Sequence, residues 1–311
     1  MINSLHHIVR VGNVIIALIT AGVIYAFFFY LPANRFDLDL SIGLVEFALF
    51  GVCVFLLMTG GYIINNLFDK ETDAVNKPDR VNTLEHFSTS TLSYSIIFCL
   101  LIGTAISIYT AIRLDRPGLS ILYPTFFAMM YLYSSKVKGK AVIDNVFIAT
   151  MIASLPFLFL LVESNMYWSF YLKYEGYFFI YFYGLIFLTG SIFLTTLIRE
   201  AIKDIEDIQG DKAAQIMTFP VRYGIEAAAI LSSSYIIVFL FGFVAWLIYV
   251  FEYLSLLIVL STVTPIIFLL GFTLYILATQ TKASYFSLAS FMMKLLMICG
   301  ILHIVLVVSS I

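Results

Sequence analysis

Nine stretches of the chain are apolar for long enough to cross a bilayer: about 8–31, 42–66, 91–112, 118–134, 142–162, 175–199, 226–250, 253–279 and 286–310. A spanning helix needs roughly 20 mostly apolar residues, so the pattern predicts nine transmembrane helices. The fourth stretch is short and the seventh and eighth nearly merge, which makes eight and ten the neighbouring counts. The two longest connections, 67–90 and 200–225, are also the most charged. No connection is long enough for a separate soluble domain. The predicted fold is all-α: a polytopic membrane protein with one domain over residues 1–311.

Composition agrees. Of 311 residues, 62% are hydrophobic and 12% charged, about half the usual supply of charge. The mean hydropathy is +1.02. So few charges cannot cover a soluble globule, and high hydrophobicity excludes disorder. The net charge of −2 excludes the basic footprint of a nucleic-acid binder. Cys53, Cys99 and Cys299 lie in apolar runs without zinc spacing and read as small core hydrophobes. The first apolar run is too long for a cleavable signal peptide. His6, His7, His86 and His303 form no ligand pattern, and His6 and His7 read as interfacial.

Basic residues orient the chain, because cytoplasmic loops are enriched in Lys and Arg. With the N-terminus in the cytoplasm, nine spans place twelve of the 17 Lys and Arg residues on that side. Arg35, Arg113, Arg116 and Lys173 fall on the other. Both long charged loops then face the cytoplasm. Lys294 is left inside the ninth stretch, where an ionisable side chain is a functional hypothesis; lining a cavity and pairing with Glu46 are the two readings.

Two acidic clusters close the second and sixth stretches. Asn65, Asp69 and Asp73 are spaced by four, so each step drifts only about 40° and the three line one helix face over about 12 Å. Asp204, Asp207 and Asp211 are spaced by three and four, again on one face, with Gly210 loosening the helix before Asp211. A single acidic run reads as a solvated helix end. Here like charges at i,i+4 destabilise a helix unless something neutralises them, and the arrangement occurs twice on one side. Five carboxylates and an amide form an all-oxygen donor set suited to a hard cation such as Mg²⁺. Mg²⁺ binds through a few carboxylates plus phosphate oxygens, so two facing clusters would hold a diphosphate, with nearby Lys and Arg completing the neutralisation.

At these residues the sequence resembles the UbiA superfamily of intramembrane prenyltransferases. The family's N-x-x-x-D-x-x-x-D motif reads Asn65, Asp69, Asp73, and its D-x-x-x-D motif reads Asp207, Asp211, extended by Asp204. Arg10 and Asn13 resemble its R-x-x-N at the first helix. Tyr133-Ser134-Ser135-Lys136, with Asn145 further on, resembles its segment between helices four and five. The run to Asn76-Lys77-Pro78-Asp79-Arg80, the run from Arg199 to Asp211, and Thr218-Phe219-Pro220 are similar to the geranylgeranylglycerol-phosphate geranylgeranyltransferases. Asn66, Val81 and Gln215 depart from the usual pattern.

The resemblance implies a nine-helix bundle around a central cavity, with a cytoplasmic cap from the loops after helices two and six. It implies Mg²⁺ held by Asn65, Asp69, Asp73, Asp204, Asp207 and Asp211. A polyprenyl diphosphate would be bound with help from Arg10, Asn13, Asn65, Lys77, Arg80, Lys136, Lys203 and Lys212. The four motif aspartates and Tyr133 carry the catalytic expectation: the metal stabilises the departing diphosphate, and an aromatic face, of Tyr133 before Tyr62 or Tyr131, shields the allylic cation. The acceptor is a prenylglyceryl phosphate in ether-lipid synthesis or an aromatic ring in quinone synthesis. If it is a phosphate ester a second basic subsite is needed, for which Lys212 and Arg222 are available. A transporter is the rival class, but the acids sit at one face instead of the midplane. The bilayer and the two substrates are the expected partners, with no nucleic acid or protein partner.

Overall fold

The computed structural model describes residues 8–311, so His6 and His7 lie outside the described residues. All regular elements among those residues are helical. Eight helices are long and apolar enough to cross a membrane. They are α1 (Val11–Phe36), α2 (Leu44–Phe68), α5 (Thr89–Arg113), α7 (Val142–Val162), α9 (Glu175–Glu206), α12 (Ile225–Tyr249), α13 (Leu256–Thr279) and α14 (Ala283–Ser310). Between them lie the shorter α3 (Lys70–Asn76), α4 (Pro78–Glu85), α6 (Leu122–Leu132), α8 (Ser164–Lys173), α10 (Ile208–Ala213) and α11 (Phe219–Tyr223).

The count differs from nine at the fourth predicted stretch. There only α6 is α-helical, preceded by a 3₁₀ turn Pro117–Ile121 and followed by a π turn Tyr133–Val137. Its eleven residues fall short of a span on their own, and the three pieces together cover 117–137. The chain still packs tightly here. A Cβ on Gly103 of α5 would lie 2.0 Å from the Tyr123 ring, so only glycine lets α5 and α6 approach this closely. The Tyr123 hydroxyl donates to the Cys99 carbonyl at 2.8 Å.

Proline explains most of the other irregularities, since it lacks an N–H and its ring crowds the carbonyl four residues back. In α1 a π turn Ala26–Tyr30 precedes Pro32, and in α13 a π turn Val259–Val263 precedes Pro265. The break at Ser154 in α7 precedes Pro156. The two nearly merged stretches separate through a 3₁₀ turn Phe251–Tyr253.

Helix α9 is central, packed against α7, α12 and α14. One apolar core, with Phe28, Phe29, Phe159, Phe170, Tyr181 and Trp246 buried, fills the end of the bundle away from the acidic motifs. Glu163 is buried there and accepts the N–H groups of Ser41 and Ile42 at 2.9 and 2.6 Å, pinning the loop after α1. A second core joins α9, α12, α13 and α14 around Ile198, Ile202, Phe243 and Phe286. The packing leaves a central cavity that opens where α2 and α9 end.

Candidate active site

Two arms form the mouth. In the first, α2 ends at Asp69 and the chain continues at once into α3, which carries Asp73. Asp69 accepts from the Asn65 amide at 2.7 Å and pairs with Lys138. Asp73 pairs with Arg80 of α4 at 2.9 Å. The Asn65–Asp69–Asp73 face thus points into the cavity. Asn66 instead donates to the Ile8 carbonyl at 2.9 Å, which fits its position about 100° off that face.

The second arm repeats the plan. α9 ends at Asp207 and α10 carries Asp211. Both Asp207 oxygens accept from the Lys77 ammonium at 2.7 Å. Asp204 accepts from the Asn145 amide at 2.9 Å and Asp211 from the Thr218 hydroxyl at 3.0 Å. The arms are latched by Asn76, which donates to the Asp207 carbonyl at 2.8 Å and accepts the Gly210 N–H at 3.0 Å. A Cβ on Gly210 would sit 2.3 Å from the Asn76 amide nitrogen and 2.6 Å from the Thr72 carbonyl oxygen. This glycine therefore does more than loosen a helix: it lets the arms touch.

The cavity encloses about 470 Å³ and runs from these acids down to His303. Its deep lining is apolar and includes Leu57, Phe126, Met130, Phe187, Phe239 and Phe243. His303 is held between the Trp246 indole N–H at 3.2 Å and the Thr262 hydroxyl at 2.9 Å, a satisfied buried polar group.

The structure brings together Arg10, Asn13, Asn65, Asp69, Asp73, Lys77, Arg80, Tyr133, Lys203, Asp204, Asp207 and Asp211 as lining residues. It does not bring in Lys136 and Lys212, both exposed, nor Arg222, which lies over the Tyr223 ring. The π turn ends at Val137, and the next residue, Lys138, two beyond Lys136, reaches Asp69. Arg199, Glu200, Asp144 and Lys294 also line the cavity. The ion pair of Arg199 with Glu200 was hidden in a run dominated by the D-x-x-x-D spacing. Lys294 does not pair with Glu46, which faces Arg113 at 3.5 Å. Tyr133 stacks on Phe147, and Tyr62 accepts from Asn13 at 3.2 Å beneath the Arg10 guanidinium. Tyr131 is exposed against Phe68.

Charge sets the chemistry available. Burial pushes the Asp207 carboxyl up, but Lys203 and Lys77 outweigh it and hold it below its ordinary range. Burial raises Asp211 to about 6, opposed by the Thr218 hydrogen bond and reinforced by Asp207. Burial and the neighbouring Lys203 lower the Lys77 ammonium, against the pull of Asp207. Among the described residues no three carboxylate, His or Cys side chains converge into a self-sufficient metal centre. Lys77, Arg80 and Lys138 stand against Asp207, Asp73 and Asp69 instead. The donor set still fits a hard cation: it is all oxygen, and Mg²⁺ needs only one or two carboxylates when phosphate oxygens supply the rest.

The profile of the UbiA prenyltransferase family matches residues 22–298. A digeranylgeranylglyceryl phosphate synthase of Methanobrevibacter smithii is 28% identical over 238 residues, 76% of this chain and 75% of the relative. The protein of that name from Methanothermobacter thermautotrophicus is 26% identical, over 76% of this chain and 72% of its own length. Among solved structures, one described as giving insights into digeranylgeranylglyceryl phosphate synthase in membranes superposes with a TM-score of 0.67. It covers 100% of this chain and 99% of that one at 19% identity, a likeness of fold.

Proposed function

The chain belongs to the UbiA prenyltransferase family, and we propose that it transfers a geranylgeranyl group from its diphosphate to the hydroxyl of a prenylglyceryl phosphate. The observation that carries this reading is the pair of latched acidic arms, studded with Lys and Arg, over an apolar cavity. The glycerophosphate acceptor draws its support from the names of the relatives and from the run Asn76 to Arg80.

Asn65, Asp69, Asp73, Asp204, Asp207 and Asp211 would hold Mg²⁺ together with the diphosphate. When bound, the metal supplies Lewis-acid stabilisation of the departing charge. Lys77, Arg80 and Lys138 exchange their carboxylate partners for diphosphate oxygens and orient the leaving group. The allylic carbon–oxygen bond breaks with its electron pair going to the diphosphate. Tyr133 offers its ring face to the carbon left positive, and the apolar cavity holds the prenyl tail and excludes water. The acceptor oxygen then bonds to that carbon, and its proton passes to the released diphosphate. The protein is an integral membrane prenyltransferase, and the excess of basic residues on the mouth side supports a cytoplasmic position for that mouth. Residues from Arg10 to Lys294 line one cavity, which supports a single domain.

The test is turnover by purified protein given geranylgeranyl diphosphate with geranylgeranylglyceryl phosphate and, separately, aromatic acceptors, the products read by mass spectrometry. Ether product that disappears with EDTA and returns with Mg²⁺ supports the reading. Product from an aromatic acceptor alone overturns the acceptor, and indifference to chelation overturns the metal.

A further inference from the structure

Beside the acidic mouth, where the start of α1 faces α14, lies a second pocket of about 490 Å³. Six basic side chains line it (Arg10, Lys77, Arg80, Arg199, Lys203 and Lys294) against one carboxylate, Glu206. The same six line the main cavity, so they form the wall between the two.

Their charges are unevenly answered. Lys77 is held by Asp207 and Arg80 by Asp73. Arg199 and Lys203 share Glu200, the latter at 3.8 Å. Among the described residues no carboxylate pairs with Arg10 or Lys294. Arg10 rests 5.0 Å above the Tyr62 ring, and its Nε is buried without a hydrogen-bond partner, as is the Nε of Arg199. Arg10 also sits at φ 51°, a backbone conformation uncommon outside glycine. Lys294 projects from inside a span. Arg10 and Lys294 are half-buried, and positive charge partly withdrawn from water without a counter-charge is costly; this pocket has it on both facing helices. The remaining lining offers hydroxyls, from Ser287 and the buried Ser290, and an exposed apolar edge, Phe291. An anionic head inside and an apolar chain outside match that distribution, and the volume suits a small headgroup.

We propose that this pocket binds the phosphate monoester of the glycerolipid acceptor, with Arg10, Arg199, Lys203 and Lys294 as its contacts; this rests on the glycerophosphate reading above. The shared wall makes the geometry work. In any glyceryl phosphate the free hydroxyl is no more than two carbons from the phosphate-bearing carbon. A phosphate seated on the basic wall therefore leaves that hydroxyl at the main cavity, beside the diphosphate end of the donor. The two phosphate groups are sorted by charge: the diphosphate goes to the acids with its metal, and the monoester goes to a wall where Arg10 and Lys294 have no carboxylate partner and Arg199 and Lys203 share one, Glu200. The sequence offered Lys212 and Arg222 for this role, and the structure places both outside either pocket.

The test uses the full chain in neutral-lipid nanodiscs with geranylgeranyl diphosphate as donor. The two acceptors are geranylgeranylglyceryl phosphate and the alcohol lacking the phosphate, geranylgeranylglycerol. Lys294→Gln is expected to raise KM for the phosphorylated acceptor at least about tenfold, the weight of one charge-assisted hydrogen bond. KM for the donor stays within about twofold, which reports an intact fold and mouth. Lys294→Arg restores most of the loss, and the alcohol is used equally by wild type and variant. An unchanged KM for the phosphorylated acceptor, or equal losses on both acceptors, overturns the subsite. Native mass spectrometry of acceptor binding without donor separates the two readings. If the wild type binds geranylgeranylglyceryl phosphate, loses it in Lys294→Gln, yet prenylates only aromatic rings, the subsite stands and the reaction falls. If the wild type does not bind it, the subsite falls. Displacement of the bound acceptor by phosphatidylglycerol, a diester, as readily as by inorganic phosphate would make the pocket a general lipid-headgroup site and overturn the monoester assignment.

Discussion

At the end of α2 the chain passes through Asp69 at φ −89°, ψ 5°, and at the end of α9 through Asp207 at φ −88°, ψ 3°. In each arm the motif aspartate four residues on donates its N–H back to the first aspartate's carbonyl, at 2.8 Å for Asp73 and 3.1 Å for Asp211. The backbone device is thus the same, but the charge is answered differently. In the first arm both carboxylates face cations, Lys138 and Arg80. In the second only Asp207 does: Lys77 reaches it from the first arm at 2.7 Å, and Lys203 of its own helix stands at 4.0 Å; Asp204 and Asp211 have an amide and a hydroxyl. The arms are therefore not independent sites. Lys77 crosses from one arm to the other, and the hydrogen bonds at Asn76 hold the arms close enough for it to do so.

If diphosphate binding needs both arms, Asp69→Ala and Asp207→Ala should each cost roughly 10³-fold in kcat/KM, as losing a principal electrostatic contact does. The protein should still extract and elute as wild type does. A large loss for one arm and near-normal rates for the other would show that a single arm holds the donor.

The latch comes next. Asn76→Ala removes two hydrogen bonds at the arm–arm contact, about 1–3 kcal/mol in all, and Gly210→Val forces a side chain into the space where Asn76 and Thr72 sit. Both should raise KM for the donor more than they lower kcat, and Gly210→Val should also lower the melting temperature. Effects confined to kcat would mean that the latch acts on chemistry instead of on donor binding.

Much of this was legible beforehand, and the exceptions share a cause. Eight spans follow from apolar length alone, and the inward faces of both motifs follow from i,i+4 spacing. The composite fourth stretch was not legible, because its three helical forms have the same apolar composition as one continuous helix. Lys138 was missed because the family segment Tyr133-Ser134-Ser135-Lys136 pointed to Lys136, while the chain leaves the π turn with the ammonium two residues on facing Asp69. Lys294 was ambiguous because sequence alone could not show which helix faces the ninth span. Spacing reports faces within a helix; neighbours between helices come only from the fold.

The smallest effects test that distinction most directly. Lys138→Met removes the cation facing Asp69 and should cost about tenfold in kcat/KM, in the range of one charged hydrogen bond. Lys136→Met and Lys212→Met should leave the rate unchanged within experimental scatter, because both ammonium groups stand exposed outside the cavity. Water and salt screen an exposed charge that makes no direct contact with the substrate. If Lys136→Met cost as much as Lys138→Met, that side chain would have to swing inward when substrate binds, and the π turn after Tyr133 would be a moving part of the mouth instead of a fixed one. Comparing the two variants at low and high salt decides this. A long-range field effect from either lysine fades as salt rises, whereas a direct contact between Lys138 and the diphosphate persists.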